Sequence, residues 1–256
     1  MPQPLVATLS WGALGAGAIA YDLSGWQPVQ TGGTWTNLAV APTLMVAVGL
    51  AFRFPIHVRH NLKLYMATVP LFILAAAVTP VVAAAFAGAG WFAGEVMARK
   101  HTGAYITDML TGTARYAAVV LMTSIVAHAA ILPNFSVRLL TAICVFWVAE
   151  ALTLPVAVCP INGEPPIQVI VAFTREAGPA EVSQYALGLI GALLVGPHAW
   201  SVALLTIPAI LTYGAFKNAK EMRETTLQML ESMADTVDLR DPYTGGHSRR
   251  VADYTL

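Results

Sequence analysis

The chain is short of charge. Only 11% of its residues are Asp, Glu, Lys or Arg, where a soluble domain carries about a quarter. That shortage excludes an ordinary solvated globule and leaves an integral membrane protein. Basic and acidic side chains also balance, 14 against 14. Without a basic excess, a nucleic-acid polymer held by a positive surface is excluded as a partner. Cysteine is scarce too: Cys144 and Cys159 are the only two, both in or beside one hydrophobic run, with no Cys-x-x-Cys spacing. They supply neither a disulfide framework nor a zinc site, and both read as small buried apolar residues. No Lys or Arg occurs in the first apolar run, Met1 to Tyr21. A cleaved signal peptide needs a positive start. Although Ala18-Ile19-Ala20 looks like a cleavage site, the run is expected to stay as a first membrane helix.

What the chain has instead is apolar sequence, 57% of it, gathered in runs near the twenty or so residues that cross a bilayer. Spans are expected near Pro4 to Tyr21, Trp35 to Phe52, Leu64 to Thr79, Val81 to Ala98, Arg115 to Leu132 and Val137 to Val158. The third and fourth pair tightly, turning at Pro80. Arg53 to Lys63 reads as a basic loop. Ile167 to Phe173 is too short to cross and is expected to lie at the interface or re-enter. Tyr185 to Phe216 is too long for one helix, and Gly196-Pro197 divides it into two short spans. The fold class is therefore all-α, with residues 1–216 forming a polytopic helical membrane domain of about eight spans. Counted from a cytoplasmic C-terminus, eight spans put Arg53, Arg59, Lys63, Arg99, Lys100, Arg115, Arg175, Lys217, Lys220 and Arg223 inside and only Arg138 outside. Cytoplasmic loops are enriched in Lys and Arg. A seven-span arrangement would put most of these loops outside, so both termini are expected in the cytoplasm.

Charged groups within spans are functional candidates. Glu150 stands in the middle of the sixth run, Glu95 near the inner end of the fourth and His128 near the outer end of the fifth. At 1.5 Å per residue, His128 and Glu150 differ in depth by roughly 15 Å and are not expected to pair. Glu95 can reach the interface unaided. Glu150 has two readings. One is a polar group in a ligand or ion pocket between helices; the other is a glutamate that simply hydrogen-bonds a neighbouring helix. Trp26, Trp35, Trp91 and Trp200 lie near span ends and read as interfacial anchors.

After Phe216 the composition switches. Residues 217–240 are charged and amphipathic, with Met222, Thr226, Met229, Met233 and Val237 at helical spacing. Such a stripe can pair with its copy in a homodimeric coiled coil, or pack onto the next domain. Asp241-Pro242 then breaks the helix. Thr244 can cap a new one, which places His247 in its first turn with Arg250 and Val251 on the same face. His247 is either a metal ligand or an ordinary surface histidine, since one His is no metal site.

The run DLRDPYTGGHSRRVADY resembles the start of the HD-GYP family, bacterial phosphodiesterases that hydrolyse cyclic di-GMP. The resemblance covers about the last twenty residues. It implies that residues 241–256 open an HD-type all-α domain and that His247 is its first metal ligand. Many relatives carry a glutamate four residues before that histidine, associated with a third metal. Tyr243 stands there in this chain, so the resemblance implies two divalent ions, iron or manganese. Arg249 and Arg250 are candidate contacts to the substrate phosphate, or surface charges. The remaining ligands would come from an His-Asp dipeptide and later residues, but neither His-Asp nor Gly-Tyr-Pro occurs in this chain. The catalytic site is thus incomplete, and these residues alone are expected to be inactive. The last residues run in a helical pattern without a C-cap glycine, so the domain is expected to continue beyond Leu256. A membrane-anchored enzyme of this kind belongs in a bacterial inner membrane. A second resemblance runs from Phe54 to Glu95, FPIHVRHNLKLYMATVPLFILAAAVTPVVAAAFAGAGWFAGE. It is similar to membrane domains shaped like the substrate-binding components of bacterial vitamin transporters. It implies the other expectation, a small-molecule-binding or transport module with a degenerate tail.

Overall fold

The computed structural model describes residues 34–59, 62–103, 105–129, 131–132, 134–195 and 200–240. Their order is α1 (Thr34–Ala51), β1 (Ile56–Arg59), β2 (Leu62–Leu64), α2 (Thr68–Ala77), α3 (Pro80–Thr102), α4 (Ile106–Ala127), α5 (Phe135–Asn162), α6 (Pro166–Glu176), α7 (Gly178–Val195), α8 (Ser201–Leu204) and α9 (Thr206–Arg240). Four of the described helices are long and apolar enough to cross a membrane: Pro80–Arg99 of α3, Ile106–Ala127, Phe135–Cys159 of α5 and Gly178–Val195. Their outward faces are apolar as well. Leu140, Val148, Leu152 and Val156 of α5 are all exposed, which suits lipid and not water. The first expected span, Pro4 to Tyr21, lies outside the described residues, as does the Gly196-Pro197 break.

Among the described residues the helical fold carries one exception. Residues expected as a basic loop form an antiparallel hairpin, with Ile56 opposite Leu64, His57 opposite Lys63 and Arg59 opposite Leu62. Pro55 stops a helix from running through. Ile56 and Val58 then alternate with His57 and Arg59 in the period-two pattern of a strand. The hairpin takes residues from the next helix. The expected third span, Leu64 to Thr79, becomes α2, only ten residues long and buried along its entire length. At 1.5 Å per residue α2 rises about 15 Å, half of a ~30 Å hydrocarbon core. A helix apolar on every side belongs to a protein core, and Leu71, Phe72 and Leu74 have no exposed surface at all. Thr79 is extended because a proline comes after it. Pro80 then starts α3 at a position where its missing N–H costs nothing.

Other boundaries move for similarly local reasons. Helix α4 begins at Ile106, nine residues before the expected start near Arg115. Thr111 there turns its hydroxyl back onto the carbonyl of Thr107 at 2.9 Å, so it needs no water. Helix α7 begins at Gly178 and not at Tyr185. Helices α3 and α5 end on left-handed glycines, Gly103 and Gly163, the usual helix stop. Cys144 is exposed and Cys159 partly so, which corrects their reading as buried. The inward stripe of α5 is Leu139, Ala142, Phe146, Ala149 and Glu150, and Cys144 falls off it. The chain divides into two units, Met1–Thr212 and Tyr213–Leu256. The division falls inside α9, which is unbroken from Thr206 to Arg240.

Close packing within the membrane unit rests on small residues. A side-chain carbon on Gly90 of α3 would stand 2.7 Å from the carbonyl oxygen of Met45 on α1. One on Gly188 of α7 would stand 3.2 Å from Phe72 of α2. Gly214 of α9 has open space around it. Gly90→Leu is therefore expected to lower thermal stability in detergent, by about 1–3 kcal/mol. Gly214→Ala should leave stability unchanged or raise it by about 0.5–1 kcal/mol. Thermal melts of both variants check the pair.

Candidate functional site

The inward stripe of α5 carries Glu150 into the interior, where it is 2% exposed. A carboxylate in an apolar bundle is unfavourable unless donors reach it. Two tyrosines supply them from different helices. Tyr116 of α4 donates to Glu150 Oε1 at 2.8 Å, and Tyr185 of α7 donates to Oε2 at 2.9 Å. Glu150 thus joins three helices. Its surroundings are aromatic: Trp91 of α3 stacks on Tyr116 with ring centres 3.5 Å apart. Phe146 meets Tyr185 edge-on at 6.0 Å and Phe72 at 6.2 Å.

A second buried carboxyl lies near the first. Glu181 of α7, 1% exposed, accepts a hydrogen bond from Thr68 Oγ1 of α2 at 3.3 Å. Glu181 precedes Tyr185 by one helical turn, so the two share a face. Gln184 is fully buried on the same helix. The buried cation of the cluster is Arg115 of α4. Its Nη2 donates to the backbone carbonyl of Glu150 at 2.9 Å. Its Nε donates to Thr153 Oγ1 at 2.9 Å, and its guanidinium lies 4.6 Å from the centre of the Tyr116 ring. Arg115 was expected at the cytoplasmic start of the fifth span. It lies instead within α4 because that helix starts earlier, and its long side chain is held by the α5 backbone.

The structure treats the other expected positions differently. His128 ends α4 and turns Nδ1 to its own helix, 2.8 Å from the carbonyl oxygen of Ser124. It comes twelve residues after Tyr116, about 18 Å along the axis, and takes no part in the Glu150 cluster. Trp91 is no interfacial anchor: it is buried, and its Nε1 donates to Glu95 Oε1 at 3.3 Å. Trp200 is exposed. On α9, Met222, Thr226, Met229 and Met233 are exposed, with ion pairs Lys217–Glu221 and Lys220–Glu224 beside them. His247, Arg249 and Arg250 lie outside the described residues. Among the described residues no group of three or more His, Cys, Asp or Glu side chains could hold a metal ion. No family model, no curated protein and no solved structure matches this chain.

Sequence reasoning found Glu150 and missed Thr68, Arg115, Tyr116, Glu181, Gln184 and Tyr185. One signal was present. Glu181, Gln184, Gly188 and Gly191 recur at helical spacing, while Val182, Ile190, Leu193 and Leu194 occupy the opposite face. Polar and small residues on one side of an apolar helix mark its protein-facing side.

Tyr116→Phe and Tyr185→Phe are each expected to lower stability in detergent, by about 1–3 kcal/mol, because Glu150 loses a donor. In a Glu150→Leu background the Tyr116→Phe change should cost much less. Strictly additive losses in that double-mutant cycle would contradict the hydrogen-bonded cluster.

Proposed function

We propose that this chain is the membrane-embedded sensory portion of a metal-dependent cyclic di-GMP phosphodiesterase of the HD-GYP type. The observation that carries the reading is the unbroken run DLRDPYTGGHSRRVADY at residues 238–254. In the intact protein His247 would hold one of two divalent ions, iron or manganese, which together activate water for phosphodiester hydrolysis. Arg249 and Arg250 would meet substrate phosphate. Helix α9 supports the reading as the connecting element. It has neither Pro nor Gly between Lys217 and Arg240, and its exposed methionine stripe suits a homodimeric coiled coil that would relay a change in the membrane unit. The bilayer is the proposed surrounding of residues 1–216, in a bacterial inner membrane with the C-terminus in the cytoplasm. About eight crossings belong to the same proposal, although α2 alone covers only half the core.

The enzymatic reading is tested on the intact protein, with whatever residues are encoded beyond Leu256. Loaded with iron or manganese, it should hydrolyse cyclic di-GMP, and His247→Ala should lower the rate by about 100-fold or more. Intact substrate after incubation with the loaded protein would overturn the assignment. Topology is tested separately. In a background lacking Cys144 and Cys159, Lys217→Cys should react with a membrane-impermeant thiol reagent only in opened cells or inside-out vesicles. Labelling in intact cells would reverse the orientation.

A second reading is favoured by the buried cluster: a small-molecule-binding or transport-like membrane module. Ionisable groups within a membrane are unfavourable, at about 2.5–3.5 kcal/mol per charged residue at a helix centre on insertion scales. Three of them around one polar centre suit a binding site. This reading holds whether residues 241–256 open a catalytic domain or not.

A further inference from the structure

The buried cluster is incomplete in one respect. Gln184 has no exposed surface, and neither its Oε1 nor its Nε2 has a hydrogen-bond partner. An amide so placed keeps the full penalty of desolvation. Its direction is set by its neighbours. Glu181, Gln184 and Gly188 share one face of α7. Glu181 meets Thr68, and Gly188 meets Phe72. Thr68 and Phe72 are one turn apart on α2, so Gln184 points between the two helices, beside Glu181. Two carboxyl groups, Glu150 and Glu181, stand against the single guanidinium of Arg115, which is engaged with the Glu150 carbonyl and with Thr153.

We propose that Glu181, Gln184 and Thr68 form a site between α2 and α7 for a compact monocation, a hydrated alkali ion or a small ammonium. The inference rests on the cluster being a binding site, the second reading above, and names its occupant. Three features select that chemistry. The groups that meet at this junction offer oxygens: a carboxyl, an amide carbonyl and a hydroxyl. These match the oxygen preference of hard cations and equally the three N–H donors of an ammonium group. A bound positive charge would favour the ionised form of the buried Glu181 carboxyl. A hydrated ion further offers a water oxygen to Gln184 Nε2, which no protein group reaches. Glu181 brings one carboxyl to the junction, and a single positive charge matches it. Glu150, already bonded to both tyrosines, remains a positioning residue.

The full chain is purified in detergent with choline chloride as the only salt, choline being a bulky quaternary cation without N–H donors. Sodium, potassium or ammonium chloride then replaces it at constant ionic strength. At saturation, at least one of the three should raise Tm by about 2–4 °C. A rise with sodium or potassium alone identifies an alkali site, and one with ammonium alone an amine site. Glu181→Gln should abolish the rise. So should Gln184→Leu, which removes the unpartnered amide and is expected to melt no lower than wild type in choline. The Gln184→Leu variant decides the matter if Glu181→Gln does not fold. The proposal is overturned if none of the three cations shifts Tm, or if the shift survives in Gln184→Leu. Either failure leaves the phosphodiesterase assignment standing, because that is read from cyclic di-GMP hydrolysis.

Discussion

A carboxyl group buried among apolar helices is costly unless neighbouring helices bring hydrogen-bond donors to it. Glu150 meets that demand with Tyr116 of α4 and Tyr185 of α7. One side chain on α5 thereby fixes the rotation of two other helices, because each tyrosine must face it. The further contacts depend on this placement. Tyr116 presents its ring to Trp91 of α3, and Tyr185 sets the face of α7 on which Glu181 and Gln184 lie. Arg115, next to Tyr116, then falls within reach of the α5 backbone.

Around that polar centre the packing is of the membrane kind. Helix α2 contributes no lipid-facing surface and serves as the core against which α7 closes, with Gly188 and Gly191 leaving room for Phe72 and Ile73. Helices α1 and α3 approach through Gly90 in the same way. Apolar attraction between helices is weak in lipid, so close contact and hydrogen bonding carry the association. In either proposed reading, a group bound at the junction of α2, α4, α5 and α7 would change how the helices fit. That is the property a sensory membrane unit requires, and it agrees with either reading of the chain.

The helical membrane character was legible in the sequence because it depends on composition and run length, which need no partner. The spans at α3 and α5 appeared near their true bounds for that reason. Helix α4 was placed late because residues 101–112 are partly polar, whereas Thr111 satisfies its hydroxyl on its own helix. Helix α2 was lengthened because Leu64 to Thr79 is uniformly apolar, and hydropathy does not separate strand, core helix and span within such a run. The hairpin was hidden in a stretch judged by charge, although Ile56 and Val58 alternate with His57 and Arg59. Glu150 stood out as a lone charge among apolar neighbours. Glu181 did not, because it lies near a run boundary where a glutamate reads as solvated.

The sequence by itself determined the apolar character: a chain this poor in charge, with runs of this length, suits a bilayer whatever its final fold. It also carried the tail motif on which the enzymatic reading rests, since that pattern is local. Only the tertiary structure decided which polar residues meet. Tyr116, Glu150, Glu181 and Thr68 come from four helices spread over more than one hundred positions, as the 113-residue separation of Thr68 and Glu181 illustrates. Helical periodicity gives the face of each helix but not the rotation and depth at which it meets another. Those are settled by where small residues permit contact and by the need of every buried polar group for a partner.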